Sequence, residues 1–188
     1  FYNYKIRWYH GLIIRPYTTF FCGGIMRSFE KISFEQFKND VCGDKLIYNK
    51  FKLPNRSTKN SAGYDFFSLF DFSLKPGEIM KIPTGIKANM ENNDVLFLVV
   101  RSSMGFKYNV RMCNQVGVID SDYYNNIDNE GHIWIKLKNE GDKVYVVKAG
   151  DAICQGIFLN YLMVTEKNEI KSIRNGGLGS TNGGNNER

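Results

Sequence analysis

The stretch Gly117-Val118-Ile119-Asp120-Ser121-Asp122-Tyr123 closes an apolar run on two carboxylates spaced two residues apart. In extended backbone that spacing puts both on one side. One of them could act as a general base, with the Tyr123 ring as a stacking surface nearby. An acidic residue at such a point is also an ordinary turn former, so this stretch does not decide alone. Arg101-Ser102-Ser103-Met104-Gly105 directly follows the apolar run Val95–Val100. A guanidinium, two hydroxyls and freed backbone amides at a strand end suit an anion, although Arg-Ser-Ser also occurs in plain turns. Gly150–Gln155 turns into a strand that holds the Gln155 amide, either as a ligand or as a buried group satisfied by backbone. Gly176-Gly177-Leu178-Gly179-Ser180-Thr181 has the composition of a phosphate cradle. The same composition suits a loose chain terminus.

The elements that must carry these residues are mostly short strands. Ser33 followed by Gln36 has the form of a capping box, Phe34, Phe37 and Val41 share a helical face, and Gly43 sits where a C-cap glycine belongs. This predicts a helix over 34–41, the chain's one convincing helix. β-type runs follow at Lys45–Leu53, Phe66–Phe72, Glu78–Ile82, Gly85–Met90, Val95–Val100, Val116–Ile119, His132–Leu137, Lys143–Val147 and Ile153–Leu162. Turn signals every eight to twelve residues or so between them predict a sandwich or barrel.

At 188 residues the chain suits one domain with a core, and 43% hydrophobic content excludes a disordered one. The net charge of +6 would fit nucleic acid, a membrane surface or an anionic small ligand. The basic residues are scattered, and no aromatic and cationic interleaving of the kind single-strand binders need is visible. Four cysteines and two histidines lack metal-ligand spacing and read as reduced thiols in a cytosolic protein. No apolar stretch is long enough to span a membrane as a helix. Residues 1–25 differ in character from the rest of the chain and carry no small-x-small cleavage pattern, so they read as an extension upstream of an initiator at Met26. The domain is expected over 26–165, and a flexible arm over 166–188.

The order of the segments raises their specificity. Asn60–Asp65, Arg101–Gly105, Asn114–Tyr123, Gly150–Gln155 and Gly176–Thr181 resemble the five ordered motifs of the homotrimeric dUTP diphosphatase (dUTPase) family. The resemblance implies an all-β, jelly-roll-like barrel, three subunits, and shared sites that hydrolyse dUTP to dUMP and pyrophosphate in the cytoplasm. It implies Asp120 as the base that activates water for attack on the α-phosphorus. Tyr123 would pack under the deoxyribose and exclude a 2′-hydroxyl, and Asn114 would read uracil. Arg101, Ser102, Ser103, Gly105 and Gln155 would contact phosphate or substrate, as would Gly117, Val118 and Ile119. Asp65 would support the site. Mg²⁺ is expected on the triphosphate, with no direct protein ligand. The fifth motif would close over nucleotide through Arg174, Leu178, Gly179, Ser180 and Thr181.

The chain departs from the family pattern in several places. Arg174 stands one residue nearer the glycines than is usual. Leu178 replaces a phenylalanine, Tyr124-Asn125 replaces Arg-Gly, Cys154 replaces an alanine, and Asn126–Glu130 resembles a small insertion. A dCTP deaminase on the same fold would want a glutamate in the strand after the third motif, where Lys136 and Lys138 stand instead. A non-enzymatic reading, as a regulator binding partner proteins, would place its surface on residues 1–44 and the Asn126 segment. A nucleic-acid-binding β domain is the more general alternative.

Overall fold

The computed structural model of the chain describes residues 27–165 and Gly176. The 1–25 segment, Met26, Arg174, Leu178, Gly179, Ser180 and Thr181 lie outside the described residues.

The described chain is built mainly of strands, and every strand pairing is antiparallel. β1 (Ser28–Lys31) pairs with β5 (Ile86–Asn89), and β3 (Phe72–Leu74) with β10 (Tyr145–Val147). A three-stranded sheet runs in the order β4 (Ile79–Pro83), β9 (Trp134–Asn139), β7 (Val110–Met112). A four-stranded sheet runs β2 (Tyr64–Phe67), β11 (Ala152–Asn160), β6 (Asp94–Val99), β8 (Gly117–Asp120).

Period-two alternation sorts the faces of these strands. Leu96 and Leu98 of β6 point inward and are buried with Phe66, Leu74, Ile135, Leu137 and Ile153. Phe97 and Val99 take the outer face. Gly156 of β11 lies opposite Leu98, and a Cβ there would collide with Phe66 and Leu96, so a side chain would force the sheet off its core.

The expected helix forms as α1 (Phe34–Asp40). The Ser33 side chain accepts from Gln36 N, while the Gln36 amide turns to Asp40 rather than back to the cap. The helix closes at Val41, whose N–H donates to Phe37 O, so Gly43 is not its left-handed cap. The expectation of a single helix needs correction. Lys45–Leu53 is not a strand: α2 (Lys45–Lys50) forms there, started by the Asp44 carboxylate, which accepts from Leu46 N and Ile47 N. A third helix, α3 (Ser102–Tyr108), grows straight out of the Arg-Ser-Ser segment. Both are about two turns long, too short for an apolar period to stand out. β1 and β7 also lie outside the expected strand runs.

α1 and α2 pack as a satellite around Phe37, Ile32 and Leu69. Phe37 and Phe51 stack with ring centroids 5.6 Å apart. Arg27, at the start of the described chain, donates to the buried Asp94 carboxylate of β6 at 2.6 Å.

Candidate active site

Three of the sequence-selected segments meet on the outer face of the four-stranded sheet. Gln155 on β11 lies opposite Asp65 of β2 on one side and Val99 of β6 on the other. Arg101 follows the end of β6. Its Nε lies 3.1 Å from Asp65 Oδ1, and Ser57 Oγ donates to the second oxygen, Oδ2. The Asp65 carboxylate is mostly buried and holds one edge of the guanidinium. Among the described residues no other ion pair engages that planar fork, and its terminal nitrogens can meet an outside partner.

Gln155 Nε2 donates to Val100 O at 3.3 Å, which fixes the amide across the strand end. Gly63 makes room for it: a Cβ at that position would collide with Gln155 Oε1. Ser102 and Ser103 are exposed in the first turn of α3. Together with Ser57, Ser61, Gly63, Asp65, Arg101 and Gln155 they line a cleft of about 330 Å³. A cationic fork, several hydroxyls and an amide on a rigid sheet end are an anion-binding set. Gly105, in the middle of α3, is not among the lining residues.

Next to Gln155, Cys154 is fully buried. Burial, with a further push from the Asp65 charge, raises its thiol well above the ordinary range. It is a packing group and a poor nucleophile.

The third segment lies elsewhere in the subunit. β8 flanks β6 on the side away from β11, and Asp120 pairs with Val95, whereas Gln155 pairs with Val99. Four residues along β6 and two strand spacings across it put the Cα atoms of Asp120 and Gln155 about 16 Å apart. By alternation along β8, Asp120 and Val118 take the outer face, and Val118 is 56% exposed. Asn114 is exposed in the turn before β8, where Gln115 adopts φ 60°. That turn passes between sheets: β7 pairs with β9 and β8 with β6, so it does not close a paired hairpin. Gly117 is buried against Leu98, Val118 faces out, and Ile119 packs on the core. Tyr123 ends the 3-10 turn Ser121–Tyr123 and is only 6% exposed.

Within one subunit, then, Asp65, Arg101, Ser102, Ser103 and Gln155 come together. Asn114, Asp120 and Tyr123 do not join them. Of the fifth segment only Gly176 is described, and it is buried.

A dUTPase family model matches residues 49–184, most of the chain. A deoxyuridine 5'-triphosphate nucleotidohydrolase of Lactococcus lactis is 45% identical over 130 residues, covering 69% of this chain and 87% of that protein. The chain belongs to the dUTPase family. A protein of the same name from Desulfitobacterium hafniense is 40% identical over 111 residues, 57% of this chain and 70% of the relative. The crystal structure of dUTPase from Streptococcus mutans superposes with a TM-score of 0.59 at 37% identity, covering 73% of this chain and 98% of that one. The dUTPase of Staphylococcus aureus phage phi11, described as coordinating a structural Mg(II) ion, shares the fold at 20% identity and a TM-score of 0.56, covering 78% of this chain and 99% of that one. The all-β, jelly-roll-like class is that of these family members.

Among the described residues no group of three or more His, Cys, Asp or Glu side chains is placed to hold a metal ion. The one carboxylate in the cleft, Asp65, is already engaged by Arg101 and Ser57. Such a donor set fits phosphate oxygens better than a hard cation. Also among the described residues, no helix is long and apolar enough to cross a membrane.

Sequence patterns do not single out Ser57, nor Asn126 and Asn129, which bond Tyr123. Ser57 reaches the cleft through an isolated bridge between Asn55 and Asp65, a tertiary contact that leaves no periodic trace. Asn126 and Asn129 lie inside a segment that reads only as an insertion.

Proposed function

We propose that the protein hydrolyses dUTP to dUMP and pyrophosphate in sites shared between subunits of a homotrimer. The observation that carries this reading is the separation of about 16 Å between Asp120 and the Arg101–Gln155 cleft on one sheet face. A general base must reach its water within hydrogen-bond distance, so Asp120 of one chain cannot serve the cleft of the same chain. Two copies can bring the two halves together. The outer face that would meet the partner carries Phe97, Val99, Val118, Ile157 and Leu159, a surface with apolar area to bury.

In this mechanism Arg101, Ser102, Ser103 and Gln155 grip the triphosphate of dUTP. Asn114, with Gly117, Val118 and Ile119, offers backbone groups and a side-chain amide to the uracil edge, and Tyr123 walls the sugar. Asp120 takes a proton from the water that attacks the α-phosphorus, and the bond to the β,γ-pyrophosphate breaks. The products are dUMP and pyrophosphate. Mg²⁺ held by the triphosphate itself, with no direct protein ligand, would neutralise part of its charge. Arg174, Leu178, Gly179, Ser180 and Thr181, which lie outside the described residues, would add further contacts to the nucleotide. The free state of the three described cysteines accords with a cytoplasmic location.

The test is pyrophosphate release from dUTP with Mg²⁺, beside dCTP, dTTP and UTP, for wild type and Asp120→Asn. Release from dUTP alone, falling about 10²–10⁴-fold in the variant, is expected. A folded wild type that leaves dUTP intact would overturn the reading.

A further inference from the structure

We propose that Asn129 sets the discrimination between dUTP and UTP by fixing the Tyr123 ring through its hydroxyl. The inference rests on the reading of Tyr123 as the wall beneath the deoxyribose.

The Tyr123 hydroxyl is held in both of its hydrogen-bonding roles. It donates to His132 O at 3.0 Å and accepts from Asn129 Nδ2 at 2.9 Å. With one bond in each role the phenol oxygen cannot slide without losing a partner. Asn129 is itself fixed. Its Oδ1 accepts from Asn126 Nδ2 at 2.8 Å and from Gly131 N at 3.0 Å. Asn126 is buried, and its Nδ2 also donates to Tyr123 O at 2.8 Å. One loop thus grips Tyr123 at both ends, the main chain through Asn126 and the phenol through Asn129.

The loop is anchored in turn. Asn125, Glu130 and Gly131 lie in the left-handed region, with φ 55°, 58° and 81°. A Cβ at Gly131 would stand 2.6 Å from Tyr123 O, so the close return of the chain requires glycine. Glu130 accepts from Ser33 N and Ser33 Oγ at the start of α1 and pairs with Lys87 of β5 at 3.5 Å. His132 Nε2 accepts from Gly85 N at 2.9 Å, which leaves the Nδ1 proton for Asp40 Oδ2, 2.6 Å away at the end of α1. The segment that reads as an insertion is a mount running from α1 to the sugar-facing ring.

Rigidity is what the chemistry needs. UTP differs from dUTP by one hydroxyl, and an apolar wall rejects an added hydroxyl only weakly. Rejection becomes strong when the wall cannot retreat. A ring tethered only through its Cβ can tilt; a ring pinned also at its far oxygen cannot.

The test compares kcat/KM for dUTP and UTP in wild type, Asn129→Ala, Tyr123→Phe and the double variant. Each single change is expected to lower the dUTP-to-UTP ratio about 10-fold or more, the order of discrimination that one well-held contact supplies. The double variant is expected to lose no more than Tyr123→Phe alone, because that change already removes the Asn129 bond together with the His132 one. A purely structural role for Asn129 would lower thermal stability and leave the ratio at its wild-type value. A wild-type ratio in folded Asn129→Ala, or multiplying losses in the double variant, overturns the inference. If Asn129→Ala does not fold, an unchanged ratio in Tyr123→Phe overturns it too. A wild type that hydrolyses no dUTP refutes the functional reading itself, a different result from either.

Discussion

Arg101 Nε stands 3.1 Å from Asp65 Oδ1, so the cation that faces the cleft is aimed by a carboxylate of β2, on the far side of β11 from the strand that Arg101 follows. An ion pair whose guanidinium is partly exposed contributes about 1 kcal/mol. Asp65→Asn replaces the carboxylate with an amide that can turn a donor toward the guanidinium, and it also disturbs the bond from Ser57. The dUTP KM is expected to rise about 5-fold while the fold survives, because the guanidinium loses the charge that aims it. Steady-state kinetics on the variant check this. An unchanged KM would mean that Arg101 is aimed by something other than Asp65.

The register of β6 makes a second prediction about assembly. Asp120→Asn removes the base, and Arg101→Ala removes the phosphate grip from a cleft about 16 Å away in the same chain. Each variant alone is expected to be nearly inactive. Mixed after unfolding and refolding together, they should regain activity, since some sites then combine an intact Asp120 with an intact Arg101. Mixtures no more active than their components would restrict each site to a single chain.

The local placement of the candidate residues was legible in the sequence where it depends on residue type at short spacing. Arg101 with two serines behind a buried strand, Gln155 on a strand after a glycine turn, and Asp120 closing an apolar run all stand where those patterns put them. The long-range part was not legible. No local signal says that Gln155 faces Val99 while Asp120 faces Val95, and that register separates the two groups of candidate residues. The Lys45–Leu53 run is apolar enough for a strand, but Asp44 caps it as a helix, and a cap outweighs a short ambiguous pattern. The Asn126–Glu130 segment carries its meaning in tertiary hydrogen bonds to Tyr123, invisible to periodicity.

Gly63 yields a third prediction. Its Cα sits so close to the Gln155 side chain that any Cβ would displace the amide, which is otherwise fixed on Val100 O. Gly63→Ala is expected to lower kcat/KM for dUTP about 10-fold or more through loss of one well-placed polar contact, while the core stays intact because Gln155 lies on the outer face. Kinetics run beside a melting curve separate the two effects. Full activity would mean that Gln155 is free to move without consequence.

The last prediction concerns pH. His132 is fully buried between α1 and the body of the domain, and burial lowers its pKa below the ordinary 6.5. Asp40 and the more distant Glu130 pull it back up, and Lys81 adds to the lowering, but desolvation is the largest influence. The unfolded chain therefore binds a proton at this histidine at a pH where the folded chain does not. Stability is complete above about pH 6.5 and falls as the pH drops through and below that value. The carboxylates held low in the fold act in a separate window. Glu140, pulled down to about 2 chiefly by its hydrogen bonds with Arg111 and Lys138, begins to cost stability only below its ordinary value of 4.5. Glu130 and Asp94, also lowered, titrate on the same acid side. Between pH 6.5 and 5 the decline should therefore belong largely to His132. Melting temperatures measured from pH 8 to 5 are expected to fall in that interval for wild type and to stay flatter for His132→Gln, which keeps a polar side chain near Gly85 N and cannot titrate. Equal slopes would place the pH response in some other group.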